Sequence, residues 1–153
     1  MKIRTLLLAL LVMAILPVPA SAESKLPQEM VETWSHLVHD NMAGGMIGDG
    51  HIITEEEAAK LEYPLLPYEL RERIIIIGHL SGFAKWCGLD WENGSFFPLM
   101  VNLRKAGTYN DYQLAFAGLL HGLAQANAER SKKDETCPEA DRAKYEKKLI
   151  KSE

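Results

Sequence analysis

Two histidines and an acid stand close enough together to be read as metal ligands: His36, His39 and Asp40. On a helix His36 and Asp40 share a face with His39 on the adjoining stripe, and imidazole and carboxylate together suit zinc. The His-Glu-x-x-His pattern is absent, so a solvated polar face explains the same letters better and no cofactor is expected. A second group is Trp86, Asp90 and Trp91, where two indoles beside an acid could stack a sugar ring and accept its hydroxyl bonds. Packing over a nearby disulfide accounts for those tryptophans equally simply, and is the favoured reading. A third group is His79, His121 and Gln125, polar residues on otherwise apolar segments. They are candidate contacts for a small ligand, with His121 also a candidate base for which Asp90 would be the acid partner. A buried histidine bonded to a neighbour is the simpler account of His121.

One stretch imitates a calcium loop. Asp49-Gly50-His51-Ile52 followed by Glu56 matches the second half of an EF-hand, but Gly45 and Ile47 stand where the first side-chain ligands belong. Thr54 with Glu57 three residues on reads instead as a capping box opening a short helix over 55–62. No nucleophile elbow, phosphate loop or metal-protease motif occurs, so an enzyme is the least supported class.

The elements that must position these residues centre on two uncharged runs, IIIIGHLSGFA at 74–84 and LAFAGLLHGLA at 114–124. Laid side by side, Gly78 falls on Gly118 and Gly82 on Gly122. Glycine inside a helix costs roughly 1 kcal/mol relative to alanine, so four at matched positions predict close approach, of the two helices to each other or of a ligand to one of them. The first run belongs to a helix over 68–89, since its length and its flanking helix formers outweigh the strand propensity of four isoleucines. The second belongs to a helix over 109–130, capped by Thr108.

Around this pair the sequence predicts an amphipathic helix over 28–43, with Met30, Val31, Trp34, Leu37 and Val38 at helical spacing. It also predicts a flexible turn over 43–50, a rigid connector at Tyr63-Pro64-Leu65-Leu66-Pro67, and a helix capped by Ser95 and stopped by Gly107. A charged helix over 138–151 comes last. The expected fold is an all-α bundle of five to six helices in one domain, 23–153.

Residues 1–22, MKIRTLLLALLVMAILPVPASA, read as a cleavable export signal. Lys2 and Arg4 precede an apolar run too short to span a bilayer, and Ala20-Ser21-Ala22 is a small-x-small cleavage pattern. Its removal takes two cations and leaves 15 basic against 21 acidic residues, a net charge of −6. Such a surface argues against nucleic acid and anionic membrane as partners, and no later run is long enough for a membrane span. Cys87 and Cys137 are the only cysteines, and in an exported chain they most simply form one disulfide. Closing a loop of about 50 residues constrains the unfolded chain by roughly 4 kcal/mol in the chain-entropy model.

The layout of Cys87, Cys137 and the helix Pro138-Glu139-Ala140-Asp141-Arg142-Ala143-Lys144-Tyr145-Glu146-Lys147-Lys148 resembles the HdeA-type periplasmic acid-stress chaperones. The resemblance covers less than half of the chain after the signal, and residues 28–84 have no counterpart in that family. It implies dissociation at low pH, with apolar surface exposed to clients as the carboxylates are neutralised. The resulting expectation is an exported periplasmic interaction or chaperone-like module, with a protein partner or self-association. The alternative is a small-ligand or metal-binding protein.

Overall fold

In the computed structural model, residues 25–48 and 50–149 are described; the expected signal segment lies outside them. Chain order gives α1 (Gln28–His39), α2 (Glu55–Ala58), α3 (Tyr68–Trp86), a π-helical turn (Glu92–Phe96) running into α4 (Phe97–Ala106), α5 (Asp111–Arg130) and α6 (Glu139–Lys148). The all-α bundle is as expected, and Cys87 and Cys137 form its disulfide. Among the described residues no helix is long and apolar enough to cross a membrane.

α1 buries Val31, Ser35 and Val38, one stripe at i, i+4 and i+7. It stops four residues short of the expected end, passing into turns in which Asn41 N and Met42 N donate to Val38 O and His39 O, and Gly44 at φ +83 then turns the chain back. Residues 44–47 and 51–53 are tied by backbone bonds and do not form a loose turn. Gly44 N donates to Ile53 O at 2.8 Å, Ile53 N donates to Gly45 O at 2.8 Å, and Met46 and Ile52 form an antiparallel bridge. The bonds let Met42 and Ile53 insert into the core. Thr54 and Glu57 make the expected capping box on α2.

α3 and α5 form the centre. The sequence pattern misplaces two caps. Asn110, reciprocally bonded with Gln113, caps α5 in place of Thr108. Ser95, expected as a cap, lies inside the continuous π-helical turn and α4, and is buried.

The glycines divide. A Cβ on Gly78 would come within 2.6 Å of both Ala124 Cβ and His121 O, and one on Gly82 within 2.3 Å of Gln125 O and 2.7 Å of Ala128 Cβ. Those two allow α3 to touch the backbone of α5. A Cβ added to Gly118 or Gly122 would meet nothing within 4 Å, so neither serves that contact. The expected meeting of glycine face with glycine face is therefore corrected: α3 contributes glycines, and α5 contributes Ala124 and Ala128.

The two sets should respond oppositely to alanine. Gly82→Ala drives a methyl into a backbone carbonyl and is expected to destabilise by about 1–3 kcal/mol. Gly122→Ala meets open space on a helix and should stabilise by up to about 1 kcal/mol. Thermal melts of both variants against the parent check this; equal shifts of the same sign would contradict it.

Candidate functional site

His121 faces inward from α5 and is 1% exposed. Its Nε2 lies 2.8 Å from Ser81 Oγ on α3, which lies 2.7 Å from Ser95 Oγ on the π-helical turn. Ser95 Oγ donates to Trp91 O at 2.7 Å, and Ser81 Oγ lies 3.0 Å from Ile77 O. The Trp91 and Phe96 rings flank the imidazole at 6.2 and 4.8 Å. Burial pushes the His121 pKa down to about 4, because the charged ring would lose its water. A serine beside a neutral imidazole is the pairing from which nucleophiles are made. Here both serines and the histidine are sealed in the core, so the arrangement ties three elements together.

The expected partners of His121 lie elsewhere. Asp90 accepts hydrogen bonds from Asn93 N at 3.2 Å and Asn93 Nδ2 at 2.7 Å, holding the start of the π-helical turn. His79 sets its ring edge-on to Trp34 of α1 at 5.3 Å, and burial lowers its pKa. Gln125 is buried on α5, with its backbone carbonyl beneath Gly82. His79 and His121 thus face different elements, α1 and the π-helical turn. The two tryptophans also part: Trp86 donates from Nε1 to Glu135 O at 2.7 Å with the Lys132 ammonium 5.4 Å from its ring, whereas Trp91 packs by His121. The sugar platform of Trp86, Asp90 and Trp91 is not assembled.

The histidines of α1 are committed to a tyrosine. His36 stacks on Tyr63 at 3.9 Å and His39 meets it edge-on at 5.5 Å. His39 also places Nδ1 3.2 Å from Asp40 Oδ1 and Nε2 3.0 Å from Leu61 O. Both ring nitrogens are thereby occupied, and among the described residues no group of three or more His, Cys, Asp or Glu could hold a metal ion. Of the weak metal candidates, His36 and His39 pack on Tyr63, and Asp40 is exposed beside His39. In the calcium-like stretch Asp49 lies outside the described residues, His51 bonds the Glu57 carboxylate at 2.9 Å, and Glu56 pairs with Lys60.

The sequence pattern does not reveal a buried ion pair. Arg71 is 3% exposed and holds Glu32 through Nη1–Oε2 at 2.8 Å and Nη2–Oε1 at 3.0 Å. Tyr63 donates to Glu32 Oε2 at 2.5 Å and accepts from Arg71. The bonds from Arg71 and then Tyr63 hold the Glu32 carboxyl down at about 2. In the sequence Arg71 looks like part of a solvated Glu69–Arg73 turn. Its spacing of three, four and seven residues from Ile74, Ile75 and Gly78 puts it on the buried face, and that spacing is the signal that could have found it.

The outer surface carries several exposed apolar side chains on neighbouring elements. Leu37 (50% exposed), Leu119 (37%) and Leu123 border a cleft of about 230 Å³ between α1 and α5. Leu119 also borders a groove of about 370 Å³ with Met46, Phe96, Met100 and Gly118. Met46 (66% exposed) continues the face to Ile52 across the backbone bridge. Gly118 lies in that groove, where a Cβ would meet nothing within 4 Å. No family model, curated protein or solved structure matches the chain.

Proposed function

We propose that the protein is an exported, periplasmic interaction module of chaperone-like character, working through the apolar face that runs from Leu37 across Leu119 to Met46 and Ile52. The observation that carries this reading is the exposure of four large apolar side chains on neighbouring elements, which costs solubility unless something covers them. Their partner is an apolar protein segment, either of a client or of a second copy. The export-signal pattern supports the location, and the layout shared with the HdeA-type acid-stress chaperones supports the class. The disulfide and the stack of Phe83 on Tyr145 at 5.4 Å tether α6, whose remaining surface is mostly charged.

The test is a Leu37→Asp/Leu119→Asp double variant compared with the parent at neutral and acid pH. Native mass spectrometry and suppression of a client's aggregation are the readouts. The parent is expected to self-associate or hold client, and the variant to do neither while melting within a few degrees of the parent, since both side chains are exposed. A parent that stays monomeric and protects no client at any pH would refute the proposal.

The small-ligand alternative draws no support from His79 and His121, which face different elements. A different cleft favours it.

A further inference from the structure

On the side of α3 bearing Tyr68, Ile76 and Leu80 lies a cleft of about 660 Å³, also bordered by the π-helical turn and by Lys148 at the end of α6. That is within the roughly 300–1,000 Å³ of small-ligand sites. Its floor is apolar, formed by Ile76, Ile77 and Leu80, and Ile76 is 38% exposed there. The strip from Tyr68 to Leu80 runs roughly 18 Å along one helix, long enough for one extended chain. Lys25, Arg73 and Lys148 stand around it, each from a different part of the chain. Among the described residues none of the three takes part in an ion pair.

Two carboxylates, Glu69 and Glu72, also border the cleft. Glu72 is engaged, accepting from Leu26 N at 2.8 Å and so fastening the segment that carries Lys25. Three cations against two carboxylates leave one positive charge in excess over an apolar floor. We propose that this cleft binds a free single-chain anionic amphiphile, a medium-chain carboxylate, with its tail along Ile76, Ile77 and Leu80 and its head at the end bearing Lys25 and Arg73. The single excess charge matches a monoanion.

Calorimetric titration of the purified protein with octanoate and with octan-1-ol tests the proposal directly, because the two differ only in the head group. Octanoate should bind at least about tenfold more tightly than the alcohol, and its affinity should fall with salt. Arg73→Glu and Ile76→Asp, both at exposed positions, should each weaken octanoate about tenfold or more without moving the thermal midpoint by more than a few degrees. Equal affinity for acid and alcohol would overturn the anionic assignment with no variant needed. Unchanged octanoate affinity in both variants would overturn the location. Absence of binding would overturn it altogether, as would binding that begins only when residues 150–153 are deleted, which would assign the cleft to the chain's own tail.

Discussion

Glu32→Ala should destabilise the protein by about 3 kcal/mol, the low end of the cost of stripping a buried cation of its partner. The two members of the pair are unequally placed: the Arg71 side chain is 4% exposed and that of Glu32 33%. Removing Glu32 strands a guanidinium that water cannot reach, with Tyr63 its remaining hydrogen-bond partner. Removing Arg71 strands a carboxylate that keeps a hydrogen bond from Tyr63 and has partial access to solvent. Arg71→Met should therefore cost less than Glu32→Ala, and Glu32→Leu combined with Arg71→Met should recover part of the loss, because an apolar pair leaves no orphaned charge. Urea unfolding of the three variants measures the ordering. If Glu32→Ala lies within about 1 kcal/mol of the parent, the pair behaves as an exposed surface bridge and the buried node is refuted.

This node separates what is legible in the sequence from what is not. Uncharged length and flanking helix formers are enough for α3 and α5, and cap chemistry for the Thr54–Glu57 box and the stop at Gly107, because each depends on residues close in sequence. Contacts between elements are not legible in that way. Gly78 and Gly82 can be recognised as close-approach positions, yet which face of α5 receives them depends on the rotation of one helix against another. The repeat of glycines points to Gly118 and Gly122, whereas Ala124 and Ala128 occupy the contact. His121 reads as a histidine bonded to a neighbour, and it is, but Ser81 and Ser95 lie 40 and 26 positions away in sequence. Ser95 can be recognised only once the π-helical turn has carried it inside the helix. The same limit applies to the apolar face, since Leu37, Met46 and Leu119 become neighbours only through folding.

Acidification from pH 7 should cost the fold on the order of 3 kcal/mol through His121 alone, most of it by pH 4.5. The sign follows from where the proton binds. The unfolded chain takes up its proton near 6.5 and the folded one near 4, so between those values the unfolded state holds more protons. Stability from this group is complete above 6.5, falls as pH drops toward 4 and changes no further below it. Ser81 on α3, Ser95 on the π-helical turn and the rings of Trp91 and Phe96 face the imidazole, and none can supply a compensating charge. His79, lowered by burial as well, adds a loss of the same sign. Glu32, held near 2, keeps its pair throughout this window; its contribution is complete above about 4.5 and disappears only as pH falls through 2. A His121→Gln variant keeps hydrogen-bonding groups at the node without the titration, and retains His79. Its urea stability should drop by about 2 kcal/mol less than the parent's between pH 7 and 4.5. Equal drops would mean that His121 titrates normally in the folded protein. A smaller drop in the variant would tie acid sensitivity to the junction of α3, α5 and the π-helical turn. Phe96 packs on His121 and also borders the groove beside Gly118 and Leu119, so loosening that junction would open the apolar face as the pH falls.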